Sequence, residues 1–280
     1  MNAQRFSLGL IFITLILITE LKAQKKILDH TAYDTWQFIK NQSISNDGKW
    51  ITYALEKNSI SDPVVKLSDF EGAEARSYPR GANPKFSFDG THLFFNLQPA
   101  IDDVNRLKRI KTKEEDLPLD TLGIYNVNTQ TLTKIPHLIS YKIPEKWSDW
   151  LVYQHKTPQD TTLKKAKKLS KKTSHELIIQ NLIDTARYKY PFVKEYTLSK
   201  KGGKIAFTSS ADDGEFQSGV YVFDTQKQSI QSIYASKGIF KSLKWDEAGQ
   251  HLSFVSDLDT TQSLNRYFNL HLWSIGDDTA

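Results

Sequence analysis

The chain has 280 residues, 39% apolar and 25% charged, a globular balance that excludes a disordered polymer and suits one long all-β domain. It contains no cysteine, which removes disulfides, thiolate metal sites, a cysteine nucleophile and a lipid anchor on an N-terminal cysteine. The net charge of +5 comes from one run, Lys164, Lys165, Lys167, Lys168, Lys171 and Lys172, with no aromatics interleaved. That run reads as a solvated loop rather than a nucleic-acid surface.

Residues 1–23 read as a signal peptide. Arg5 gives the positive start, Leu8 to Thr19 an apolar core, and Leu21-Lys22-Ala23 a small-residue end. Cleavage after Ala23 would leave Gln24 first and place the rest in the periplasm or outside the cell. No later segment is apolar enough to span a membrane. Residues 24–280 read as a single partial propeller domain. Its opening segment, 28–40, is expected to form a helical turn or two, with Tyr33, Trp36 and Phe38 packing on the first repeat unit.

A phrase then returns along the chain: a Ser- and Asp-bearing turn closed by Gly, followed by an apolar run. It reads ISNDGKWITYAL at 44–55, FSFDGTHLFFNL at 86–97, LSKKGGKIAF at 198–207 and WDEAGQHLSFV at 245–255. The closing glycines are Gly48, Gly90, Gly202 and Gly249, where positive φ costs nothing. The first and last intervals span 42 and 47 residues, a four-strand period. A third unit, KWSDWLVYQ (146–154), has lost its glycine. Strand–turn–strand pairs follow the turns at 122–135 and 219–234. The fold class is therefore all-β, a β-propeller with about five four-stranded blades, against the alternative of a two-sheet sandwich. The fifth unit reads as unfinished at Ala280. Either the sequence is a fragment, or a strand from Lys25 to Leu28 completes the last blade. An open ring would expose a strand edge and blade faces.

No reaction centre is legible. There is no G-x-S-x-G, and Ser140, Ser209 and Ser210 lie in turn or strand contexts. The histidines, His30, His92, His137, His155, His175, His251 and His271, lack metal-ligand spacing. Asp212-Asp213-Gly214-Glu215 and Asp257–Asp259 are acidic clusters that match no calcium loop. No phosphate loop or dinucleotide fingerprint occurs. The expectation is no catalytic, cofactor-binding or metal residue, and no cofactor.

The phrases ISNDGKWITYAL and FSFDGTHLFFNL resemble the propeller repeats of the prolyl oligopeptidase family of serine peptidases, its exported bacterial members above all. Three further stretches carry the likeness over roughly 28–280. They are Tyr33, Asp34 and Trp36 leading into Ser45-Asn46-Asp47-Gly48, the charged insert ending Leu117-Pro118 before Asp120 to Tyr125, and the lysine-rich insert resuming at His175 to Ile179. The resemblance implies a propeller of seven or eight blades, incomplete here, that limits access to peptide substrates. It places the catalytic Ser, Asp and His in a C-terminal α/β-hydrolase domain beyond Ala280. Periplasmic TolB-like propellers use similar phrases. The alternative is thus a non-enzymatic propeller that binds a protein or envelope ligand.

Overall fold

The computed structural model describes residues 30–57, 61–72, 75–156, 175–210, 216–259 and 266–280. The signal segment, the Lys25–Leu28 strand, the lysine run and the Asp212–Glu215 cluster lie outside them. The chain divides into two units, 1–36 and 37–280. In the first, a 3-10 turn covers His30–Thr35, and the Tyr33 and Trp36 rings meet edge-on at 4.8 Å. Tyr33, Trp36 and Phe38 are each about half exposed.

The second unit is an all-β propeller whose blades are antiparallel meanders. The first blade is β1 (Gln37–Ile44), β2 (Trp50–Lys57), β3 (Val64–Asp69) and β4 (Ala75–Pro79). The second is β5 (Gly81–Phe86), β6 (His92–Leu97), β7 (Thr121–Asn126) and β8 (Thr131–Ile135). The third begins with β9 (Leu138–Lys142), β10 (Trp150–His155) and β11 (His175–Asn181). The long β12 (Arg187–Leu198) serves two blades. Its first half pairs with β11 and its second half with β13 (Lys204–Ser209), with a register shift between Val193 and Glu195. Phe192, at φ 55, marks the corner. The fourth blade continues through β14 (Gly219–Asp224) and β15 (Ser229–Ala235). The fifth holds three described strands, β16 (Ile239–Trp245), β17 (His251–Asp257) and β18 (Asn269–Ser274).

Side chains alternate across a strand, so a blade sandwiched between two others must be apolar on both faces. The middle strands show this. In β6, Leu93 and Phe95 enter the core shared with the first blade, while Phe94 enters the core shared with the third. In β13, Ile205 and Phe207 face the third blade and Ala206 the fifth. All six side chains are 0% exposed.

Two expectations change. Each blade begins one strand before its turn, so 37–40 belongs to a strand and not to a helical opening. The charged insert after β6 contains a helix, α1 (Ile101–Arg109), and a 3-10 turn at Glu114–Asp116.

Candidate functional site

The four glycine turns share one geometry. Gly48, Gly90, Gly202 and Gly249 have φ of 73, 74, 82 and 69°. A clamp residue opens each turn: Ser45, Ser87, Ser199 and Asp246. Its backbone N–H donates to the carbonyl five residues on, at 2.9, 2.8, 2.8 and 3.0 Å. Its side-chain oxygen accepts the N–H of that same residue, from Trp50, His92, Lys204 and His251 at 3.0, 2.9, 2.9 and 3.1 Å. This explains why the repeat needs Ser or Asp there: a short side-chain acceptor closes the hairpin.

The turns also touch across blades. Asn46 Nδ2 donates to the Phe88 carbonyl at 2.6 Å, and Lys200 Nζ meets Glu247 Oε2 at 2.7 Å. Deeper in, Asn41 Nδ2 donates to Asn83 Oδ1 at 2.9 Å. Glu195 accepts the backbone N–H groups of Ser242 and Leu243 at 2.8 and 2.9 Å.

The innermost strands β1, β5, β9, β12 and β16, with the turns that follow them, line a cavity of about 1140 Å³. Its lining carries Lys85, Lys142 and Lys244, the aromatics Phe86, Tyr141 and Trp245, and acids Glu145, Asp246 and Glu247 toward the turns. The His251 ring, 3.0 Å away, and its backbone N–H hold the Asp246 carboxyl down to about 2. The hydrogen bond from Lys200 lowers Glu247. Among the described residues, the Trp245 indole N–H and Asn96 Oδ1 have no hydrogen-bond partner, and both residues line the cavity. This site was missed in the sequence because the inner strands carry many polar residues and lie ahead of the repeat's visible phrase.

The residues weighed as chemical candidates are scattered. Ser140 Oγ lies 2.8 Å from the Tyr196 hydroxyl and 3.2 Å from Gln154 Oε1. Ser209 and Ser210 donate to the carbonyls of Pro191 and Phe192. His92 is held by Thr91 and Asn126, and burial lowers its pKa. Burial likewise lowers His175. His137 sits at φ 56, and the His155 ring packs on Tyr153. His271 Nε2 meets Ser256 Oγ at 2.8 Å, a pairing no spacing rule flags, but Ser256 is 0% exposed. Asp257, 1% exposed, accepts from Arg266 at 2.8 Å. Among the described residues no three acidic or histidine side chains gather as a metal site.

No family model and no curated protein matches the chain. Several solved structures resemble it. The β-propeller domain of the trilobed protease from Pyrococcus furiosus is 12% identical with a TM-score of 0.46, over 86% of this chain and 70% of that one. A prolyl endopeptidase is 14% identical with a TM-score of 0.47, and the match spans 85% of this chain but 34% of that protein. TolB from Acinetobacter baumannii is 15% identical with a TM-score of 0.35, over 85% of this chain and 52% of that one. Likeness at such identities extends to the fold and no further.

Proposed function

We propose that the chain is the N-terminal propeller portion of an exported serine peptidase of the prolyl oligopeptidase type. The observation that carries the reading is the cavity of about 1140 Å³ lined from five inner strands, which exceeds the roughly 300–1,000 Å³ of small-molecule sites and suits an extended peptide. The repeat phrases and the signal segment support the same assignment. On this reading the channel limits access to peptides. A C-terminal α/β-hydrolase domain supplies the serine that takes the acyl group, the base that accepts its proton and the acid that orients the base. The channel residues bind and orient; they do not react.

The gene provides the test. The expected reading frame runs past codon 280 through further repeats into a G-x-S-x-G string. A stop codon at that point would overturn the peptidase reading and favour a propeller that binds a periplasmic partner. A serine-directed fluorophosphonate applied to the chain 1–280 should label nothing; a labelled serine within it would also refute the assignment.

A further inference from the structure

The inner strands present their side chains in matched rungs. The third strand of each blade, or the residue just after it, fixes the alignment. The N–H groups of Phe70, Val127, Leu182, Thr225 and Ile275 donate to the carbonyls of Lys49, Thr91, Asp149, Gly203 and Gln250, at 2.8, 2.9, 2.7, 3.0 and 3.0 Å. Those five carbonyls are equivalent points. Counting three residues on gives Thr52, Phe94, Val152, Ala206 and Ser253. Their partners on the inner strands are Ser43, Lys85, Lys142, Thr197 and Lys244. All five line the cavity. Three blades thus place a lysine on one rung, and the other two place a hydroxyl.

This rung has no carboxylate of its own. Among the described residues, none of the three lysines makes an ion pair. Lys142 Nζ donates to the Tyr196 carbonyl at 2.7 Å and lies 5.0 Å over that ring. Glu195 is committed to two backbone N–H groups, Asp246 to His251 and Glu247 to Lys200, and Glu145, toward the turns, also acts on the Lys200 ammonium. Burial lowers the Lys142 pKa; Glu195 opposes the shift and the Lys244 ammonium adds to it. The residues one step on, Phe86, Ile143, Leu198 and Trp245, turn to the opposite face and pack against the cores between blades, which fixes the backbone that carries the rung.

We propose that the Lys85–Lys142–Lys244 rung is a carboxylate-binding collar that makes the channel selective for acidic peptides. The inference rests on the reading of the cavity as a peptide channel. Unpaired ammonium groups in a cleft focus a positive field, so a carboxylate gains there what an amide of the same shape does not.

Calorimetric titration of the full chain with blocked, C-amidated hexapeptides tests it, using one peptide with two Glu beside Leu and its Gln counterpart. The Glu peptide should bind about tenfold tighter at about 50 mM salt, and the preference should shrink at about 500 mM. Lys142→Gln with Lys244→Gln should bring the two peptides within about twofold, while the matching double Arg variant keeps the preference. Lys134→Gln, on the outer strand β8, should change nothing. Equal affinities for the Glu and Gln peptides would overturn the collar and leave the channel reading standing. Failure of every peptide to bind would remove both.

Discussion

At the scale of single residues the turns decide much. Gly48 and Gly249 share the same positive φ, yet their surroundings differ. A Cβ on Gly48 meets nothing within 4 Å, whereas one on Gly249 runs into the Lys201 carbonyl and the Ser199 side chain of the neighbouring blade. Gly48→Ala should therefore cost about 1 kcal/mol, the price of a left-handed alanine. Gly249→Ala should cost at least about 2–3 kcal/mol, because backbone must also move. Urea unfolding of both variants measures the gap, and equal midpoints would show that the turns do not abut. Asp246 gives a pH signature. Its carboxyl is held from 3.8 to about 2, so its contribution is present above 3.8 and is lost as pH falls through about 2. Asp246→Asn should flatten the melting temperature between about pH 4 and pH 2 relative to the parent chain. Identical profiles would count against the His251 contact. Two of the collar lysines were readable at this scale. Lys85 and Lys244 each stand two residues before a clamp residue. Lys142 was not, because Ile143 to Ser148 replace the glycine turn and Asp149 takes the positive φ of 73°.

At the scale of elements, burial explains what the sequence showed and what it hid. The middle strands β6, β10, β13 and β14 are pressed between blades on both faces and read as unbroken apolar runs. The inner strand β1 is exposed along almost its whole length, and β5 contains Gly81 and Pro84. Such strands carry little apolar pattern, and Pro is tolerated because an inner strand is a sheet edge. Helix α1 buries no residue, so only its own charge pattern marks it. The split yields a prediction. Phe94→Ala, in the core between the second and third blades, should cost about 3–5 kcal/mol. Leu132→Ala, on outer strand β8 with 36% of its surface exposed, should cost under about 1 kcal/mol. Comparable losses at the two positions, in denaturant melts, would mean that the blades do not pack face to face as described.

At the scale of the propeller unit, the two end blades each keep one face without a neighbour among the described residues of that unit. On the first blade, Ile39 and Ile44 are 62% and 57% exposed on the side away from the second. On the fifth, Leu270 and Leu272 of β18 are 76% and 64% exposed on the side away from the fourth. Every internal face of the unit is covered, so these two are exceptions to its own packing rule. Among the described strands β18 is also a sheet edge. Apolar faces joined to an open edge drive association between copies. In solution the chain 1–280 should therefore show a mass that rises with concentration by light scattering. Leu270→Lys with Leu272→Lys should lower that mass toward the monomer without lowering the melting temperature, because neither side chain contributes to a core. Charged residues on a strand edge oppose pairing as well as apolar contact, so the double variant acts on both routes. A parent chain that stays monodisperse and melts cooperatively as a monomer at high concentration would show that the two faces are satisfied by means other than packing.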